Sequence, residues 1–365
     1  MKFKSTVYEL QKTLKLLTAV VNYNHSVLAF RYLKVFVNNG KLEIKGFDNS
    51  FVASVFPQFS EIEDDGVYGL VLAKQFISLI NTFKSEEISV SIDGNICHIK
   101  SGRSNYKLPL LEEEKFLSSV GPLDLAYYDI EYKNKPIKLN SFLNRAEAVS
   151  HCLSKDDYHA NLQHIYIKDN KMIACDSVKG AVIDFENESL DDYLIHRKVI
   201  SCLNNVSDTN EAFFTVEGSN LYVKAKNFIF AASLEKIVYP YEMIKRYIGD
   251  FQEVKSYIIN LSTEEFADKL GRVLMFADSE TNSVQIAFQE KEISLIVSNN
   301  SYAEEKISSL GQEFKKPFVL YVDGKSLRES LAKAMSNAYW HTDGEEEVQF
   351  IYDGELLQFF LGLTK

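Results

Sequence analysis

Six stretches of this chain place apolar residues at a helical period, and each is followed by strand-like runs. Their first apolar anchors are Leu10, Phe76, Phe142, Ile195, Phe266 and Leu327. From each anchor apolar residues recur at roughly +4, +7 and +11, the stripe of a helix lying on a core. The pattern predicts helices over 8–21, 72–84, 138–152, 191–206, 263–276 and 324–338. One helix–strand unit repeated at a period of about 60 residues marks a repeat architecture.

A longer period overlies the short one. After the second, fourth and sixth stretches come two β-rich runs hinged at an acid–Gly pair. These are Ile88–Ile92 and Ile96–Ile99 about Asp93-Gly94, Ala212–Val216 and Leu221–Val223 about Glu217-Gly218, and Val348–Tyr352 and Leu356–Phe360 about Asp353-Gly354. Glycine supplies the positive φ that a tight hairpin turn needs. A second triple of strands, Lys41–Lys45, Lys171–Cys175 and Ile293–Val297, follows the first, third and fifth stretches. The chain therefore reads as three copies of about 120 residues, each with two helices packed on antiparallel sheets. The fold class is α+β, with domains at 1–122, 123–247 and 248–365 and boundaries near Gly121-Pro122 and Tyr247–Phe251. Thr6 with Glu9 and Ser262 with Glu265 fit capping boxes, and Asp323 is placed to N-cap the sixth helix.

Composition adds little until charge is mapped. The 365 residues are 46% apolar, enough for a large core. No run approaches the length of a membrane-spanning helix, and the first residues lack an apolar signal core, so a cytoplasmic location is expected. Cys97, Cys152, Cys175 and Cys202 show neither CxxC nor metal-ligand spacing and read as reduced, buried thiols. The formal charge is −11, yet the six helical windows together carry +5, leaving −16 for the rest. The helices are mildly basic and the remainder strongly acidic.

No phosphate-loop, dinucleotide, zinc-protease or nucleophile-elbow pattern is present. Asp156-Asp157 and Asp191-Asp192 are adjacent acids that do not converge on one site, and His159 and His164 do not share a helix face. Glu112-Glu113-Glu114 and Glu345-Glu346-Glu347 read as solvated charge runs. The expectation is a non-enzyme with no cofactor and no metal.

Several segments resemble one family. Ser101-Gly102-Arg103-Ser104-Asn105-Tyr106-Lys107-Leu108-Pro109, Asn227-Phe228-Ile229-Phe230 with Leu234 and Tyr239-Pro240, Asn299-Asn300 with Ala303-Glu304-Glu305, and Arg197-Lys198-Val199-Ile200 are similar, in order and spacing, to segments of the bacterial DNA sliding clamp, the beta subunit of DNA polymerase III. The resemblance covers the whole chain. It implies a head-to-tail homodimer of six domains closed into a ring, with helices lining the hole. It implies a processivity factor that encircles double-stranded DNA without sequence specificity and docks a DNA polymerase and a clamp loader through short apolar peptides. A mildly positive inner wall suits sliding, because phosphate contacts carry no sequence information.

Candidate inner-wall cations are Lys12, Lys15, Lys74, Arg145, Arg197, Lys198, Arg272, Lys325 and Arg328, each equally readable as a solvated surface charge. The chain departs from the family at Tyr23-Asn24, where arginines are usual. The resemblance places a peptide pocket at Cys175, Asp176, Ser177, Val178, Lys179 and Gly180, at Pro240, Ile244 and Lys245, and at Leu361, Gly362 and Leu363, with Lys179 and Lys245 at its rim. The C-terminal leucines are equally readable as strand packing. It places the dimer interface at Arg103, Tyr106 and Leu108 facing Met275 and Phe276, for which packing inside their own domain is the alternative. The rival function is a clamp-like interaction scaffold that does not encircle DNA, favoured by the missing arginines and the net acidity.

Overall fold

The computed structural model describes residues 1–63, 68–84, 87–112, 137–186, 190, 192–206, 211–253, 257–299, 301–308, 314, 316–335, 337–342 and 348–361. Its contacts group the chain into two compact units, Met1–Asn144 with Lys198–Glu235, and Arg145–Arg197 with Lys236–Lys365. The described helices are α1 (Val7–Val20), α2 (Ala73–Thr82), α3 (Leu139–Ser150), α4 (Arg197–Leu203), α5 (Tyr241–Glu253), α6 (Thr263–Leu274) and α7 (Gly324–Leu331). Strands are numbered β1–β25 along the chain.

The first unit holds two antiparallel sheets. One runs β5 (Glu61–Glu63), β1 (Lys2–Thr6), β7 (Glu87–Asp93), β8 (Ile96–Ser101), β9 (Ser104–Pro109). The other runs β10 (Ile137–Lys138), β15 (Phe213–Glu217), β16 (Asn220–Lys224), β17 (Phe228–Ser233), β4 (Phe51–Val55), β3 (Lys41–Phe47), β2 (Tyr32–Asn38), β6 (Gly69–Leu72). The β17–β4 register, Phe230 against Ala53, joins strands from the first two predicted copies. α1 buries Leu10, Leu14 and Leu17 and α2 buries Phe76, Ile77 and Ile80. Gln11 of α1 donates to the carbonyl of Ile80 at 2.9 Å, which also accepts from Phe83 N at the end of α2.

The second unit repeats the plan. Its larger sheet runs β14 (Tyr193–His196), β11 (His164–Lys168), β12 (Lys171–Cys175), β13 (Lys179–Asp184), β25 (Leu356–Leu361), β24 (Val348–Tyr352), β23 (Asn337–Thr342), β18 (Tyr257–Ser262). Its smaller sheet runs β21 (Tyr302–Ser308), β20 (Glu292–Ser298), β19 (Ser283–Gln289), β22 (Phe318–Asp323). Trp340 anchors the core between Phe266, Phe288 and Phe360, and its indole N–H donates to Gln349 Oε1 at 3.1 Å. A buried indole N–H needs such a partner.

All three acid–Gly hairpins form, with Gly94, Gly218 and Gly354 at φ +54°, +60° and +103°. Thr6 caps α1 by accepting from Glu9 N, but the Glu9 carboxylate accepts from Gln58 N instead of closing the box. Ser262 makes no side-chain cap, being held as the last residue of β18 against Asn337. Asp323 caps α7 through Lys325 N and Ser326 N. Two corrections concern helices. Ile195 lies in β14, paired with Ile165 of β11, so the fourth predicted helix starts only at Arg197. α5 was not among the six predicted helices, and the 247/248 division falls inside it. Gly121-Pro122 lies outside the described residues.

Candidate functional site

The helical cations are set by which stripe of each helix is buried. On α1 the buried face leaves Tyr8, Lys12 and Lys15 on one opposite stripe, with Tyr8 74% exposed. Lys74 of α2, Lys198 of α4, and Lys325 and Arg328 of α7 are exposed. Arg328 lies over α6 where Gly271 leaves room: a Cβ there would meet its Cζ at 2.9 Å. Arg197 opens α4 with a buried Nε that finds no hydrogen-bond partner among the described residues. Two candidates are committed elsewhere. Arg145 of α3 binds Glu355 at 2.7 Å, and Arg272 of α6 binds Asp268 at 2.6 Å and Glu305 at 2.8 Å. A guanidinium paired with carboxylates offers little net charge to a phosphate. Tyr23, where the family carries arginine, is partly buried.

The residues assigned to the docking pocket gather in the second unit, at the β12–β13 turn and the first turn of α5. Asp176 Oδ1 accepts from Val178 N at 2.7 Å and Lys179 N at 2.8 Å, fixing the turn. Leu361 N donates to the Val178 carbonyl at 2.9 Å, so the end of β25 lies beside it. Ser177 and Lys245 are exposed, and Val178, Pro240 and Leu361 are half-buried. Cys175 is buried with its thiol 3.3 Å from Tyr239 Oη, and burial pushes that thiol up to about 11. Gly362 and Leu363 lie outside the described residues.

Two pocket expectations change. Ile244 is fully buried and belongs to the core under α5. Lys179 is not at a rim but 5% exposed, ion-paired with Glu329 of α7. The pleat explains this. Alternate residues of β13 face opposite ways, so Lys179 points with Ala181 to one side and Gly180 with Val182 to the other. On the Gly180 side, Phe359 packs so closely that a Cβ on residue 180 would lie 2.2 Å from its ring. The exposed apolar residues nearest in sequence to the Pro240 segment, Val238 (86%) and Met243 (44%), were missed by sequence reasoning. Their only signal is an apolar residue out of phase with the buried stripe.

The seam residues are exposed within their own units. β9 is one of the two terminal strands of the five-stranded sheet, with Tyr106 on it and Arg103 just before it exposed and Leu108 half-buried. β21 is one of the two terminal strands of the four-stranded sheet, with Tyr302 exposed and Glu304 and Glu305 along it. Met275 (75%) and Phe276 (48%), at the end of α6, are exposed rather than packed inside their own domain.

Burial raises all four thiols, Cys97 and Cys202 to about 12, which disfavours thiolate nucleophiles. Among the described residues no group of three His, Cys, Asp or Glu could hold a metal. No described helix is long and apolar enough to cross a membrane.

Residues 1–118 match the family described as DNA polymerase III beta subunit, N-terminal domain. The beta sliding clamp of Haemophilus influenzae is 21% identical over 344 residues, 88% of each chain. The chain is thus similar to DNA sliding clamps: its first third matches the family's N-terminal domain, and most of its length aligns with one relative. Clamp structures match it along its full length. The Thermotoga maritima beta subunit aligns at TM-score 0.81 and 14% identity, covering 100% of this chain and 99% of that one. The Helicobacter pylori beta clamp, solved with a DNA ligase peptide, aligns at TM-score 0.79 and 14% identity over 100% of both. The α+β clamp fold, with helices packed on antiparallel sheets, is thus present throughout.

Proposed function

We propose that this protein is a sliding clamp: a non-catalytic, cytoplasmic accessory subunit that closes head-to-tail into a homodimeric ring of three clamp domains per chain, 1–122, 123–247 and 248–365. It encircles duplex DNA without reading sequence and docks polymerase and loader peptides at the β12–β13 turn. The observation that supports this reading is a clamp fold in which β9 and β21 are each the terminal strand of a sheet among the described residues. Exposed edges flanked by apolar residues call for pairing partners. Arg103 just before β9 and Lys107 on it complement Glu304 on β21, which favours β9 of one protomer meeting β21 of the next. The weak positive charge of the helices suits loose phosphate contact, with topology rather than affinity retaining the ring.

The scaffold reading draws on the ion pairs of Arg145 and Arg272, which reduce the charge open to DNA. Loading with a clamp loader onto nicked circular DNA separates the two. A clamp stays on the circle and leaves after linearisation. Equal retention on both forms means ordinary binding, and retention on neither supports the scaffold.

A further inference from the structure

Lys179 occupies an unusual place for a lysine in a docking turn. Its side chain turns to the helix side of β13, against Glu329 of α7 and near His151 and Cys152 at the end of α3. The surroundings offer few alternatives as a counter-ion. Asp176 Oδ1 is engaged by the two turn N–H groups, and the ion pair that Lys179 makes is with Glu329. His151 is engaged with Gln358 Oε1 at 2.8 Å, and the Gln358 amide donates to Ser330 O at 3.0 Å. Burying an ammonium without a paired anion is costly, so Glu329 decides where the Lys179 charge resides. Glu329 itself remains partly exposed, with its side chain 39% accessible.

We propose that Glu329 is a positioning residue that sets the specificity of the docking site. By holding Lys179 inward, it keeps that ammonium away from the turn formed by Asp176, Ser177 and Val178 and leaves Lys245 on α5 as the exposed cation of the site, so the turn side takes neutral, apolar side chains rather than reading an acidic one. The proposal rests on the docking reading above. A lysine stem is long and flexible, so an ammonium freed from Glu329 swings toward solvent beside Ser177.

Two measurements on the full-length protein test it. The first needs no peptide: amine acylation followed by mass spectrometry. Lys179 is expected to react at least about tenfold more slowly than exposed Lys245, as burial of its amine requires. Equal rates overturn the proposal and leave the docking reading standing. The second titrates the DNA ligase peptide of the Helicobacter complex, with each position in turn made Glu or Gln. In a Lys245→Met background, the otherwise natural chain is expected to bind each Glu and Gln pair within about twofold. In the same background Glu329→Gln is expected to favour at least one Glu peptide by about fivefold at low salt, an advantage that salt screens. Adding Lys179→Met to that variant is expected to abolish the gain. A folded Glu329→Gln chain with no gain overturns the proposal, as does a natural chain that already prefers Glu through Lys179. Binding of no peptide, or no loss with Leu361→Ala, removes the docking reading and the specificity claim with it.

Discussion

Partial burial in the second unit governs the charge of His151. It lowers the imidazole to about 4, helped by the nearby Lys179 charge, while hydrogen bonds to Gln358 and the Ala148 carbonyl work the other way. In the unfolded chain the same group titrates near 6.5. As pH falls below that value the unfolded state takes up a proton that the folded state refuses, so stability drops. The loss runs from about pH 6.5 to about pH 4 and reaches at most about 3 kcal/mol. His341, also lowered by burial, acts with the same sign. Partial burial raises Glu329, but the Lys179 hydrogen bond and charge outweigh it and lower the carboxyl. Its contribution therefore holds through most of this window and fades as pH falls through and below 4.5, the carboxyl's unfolded value. Urea unfolding between pH 4 and 7.5 checks this: His151→Gln is expected to flatten the slope measurably. An unchanged slope would show that His151 takes up its proton when folded. None of this was legible in the sequence, where His151 is a lone histidine at a helix end, because its burial comes from β25, some two hundred residues away.

Among elements, α5 shows how a strong local signal can be passed over. Tyr241, Ile244, Tyr247, Ile248 and Phe251 recur at helical spacing, and this face lies on the large sheet of the second unit. Tyr247 meets Phe359 at 5.1 Å, and Phe251 meets Phe350 at 5.6 Å and His341 at 4.9 Å. The signal was present, but a repeat of six helices left the segment to serve as a boundary. Ile195 errs in the opposite sense. An apolar residue just before a short helix fits the stripe equally well when it belongs to a strand, and only the pairing with Ile165 decides it. Beneath α5, Gly180 is required by Phe359 rather than by backbone conformation. Gly180→Ala is expected to destabilise the chain by about 1–3 kcal/mol through overpacking. Phe359→Leu in the same chain is expected to recover part of that loss by making room for the methyl group. Denaturant midpoints of the two variants check this, and an additive loss would place the strain elsewhere.

At the scale of the whole molecule, the proposal concerns the oligomer. The 41.7 kDa chain is expected to sediment as a dimer at micromolar concentration. Met275→Asp with Phe276→Asp is expected to yield monomers, because buried charges oppose an apolar interface. Both residues are exposed in the protomer, so the urea midpoint measured on isolated monomers should barely move. A dimer that survives both substitutions would place the seam away from the end of α6.

The sequence by itself determined the elements and their repetition. Helix stripes, alternating strands and acid–Gly turns are short-range patterns, set by the 3.6- and 2-residue periods and by glycine φ. It also located cations on the helices. Only the tertiary structure decided which of those cations remain available. Arg145 meets Glu355 across 210 positions and Lys179 meets Glu329 across 150, and no local period encodes such a pairing. Sheet order did the rest, turning Lys179 inward through the pleat and leaving β9 and β21 as terminal strands among the described residues. Availability of a charge or an edge depends on what distant chain lies beside it, and that is a property of the fold.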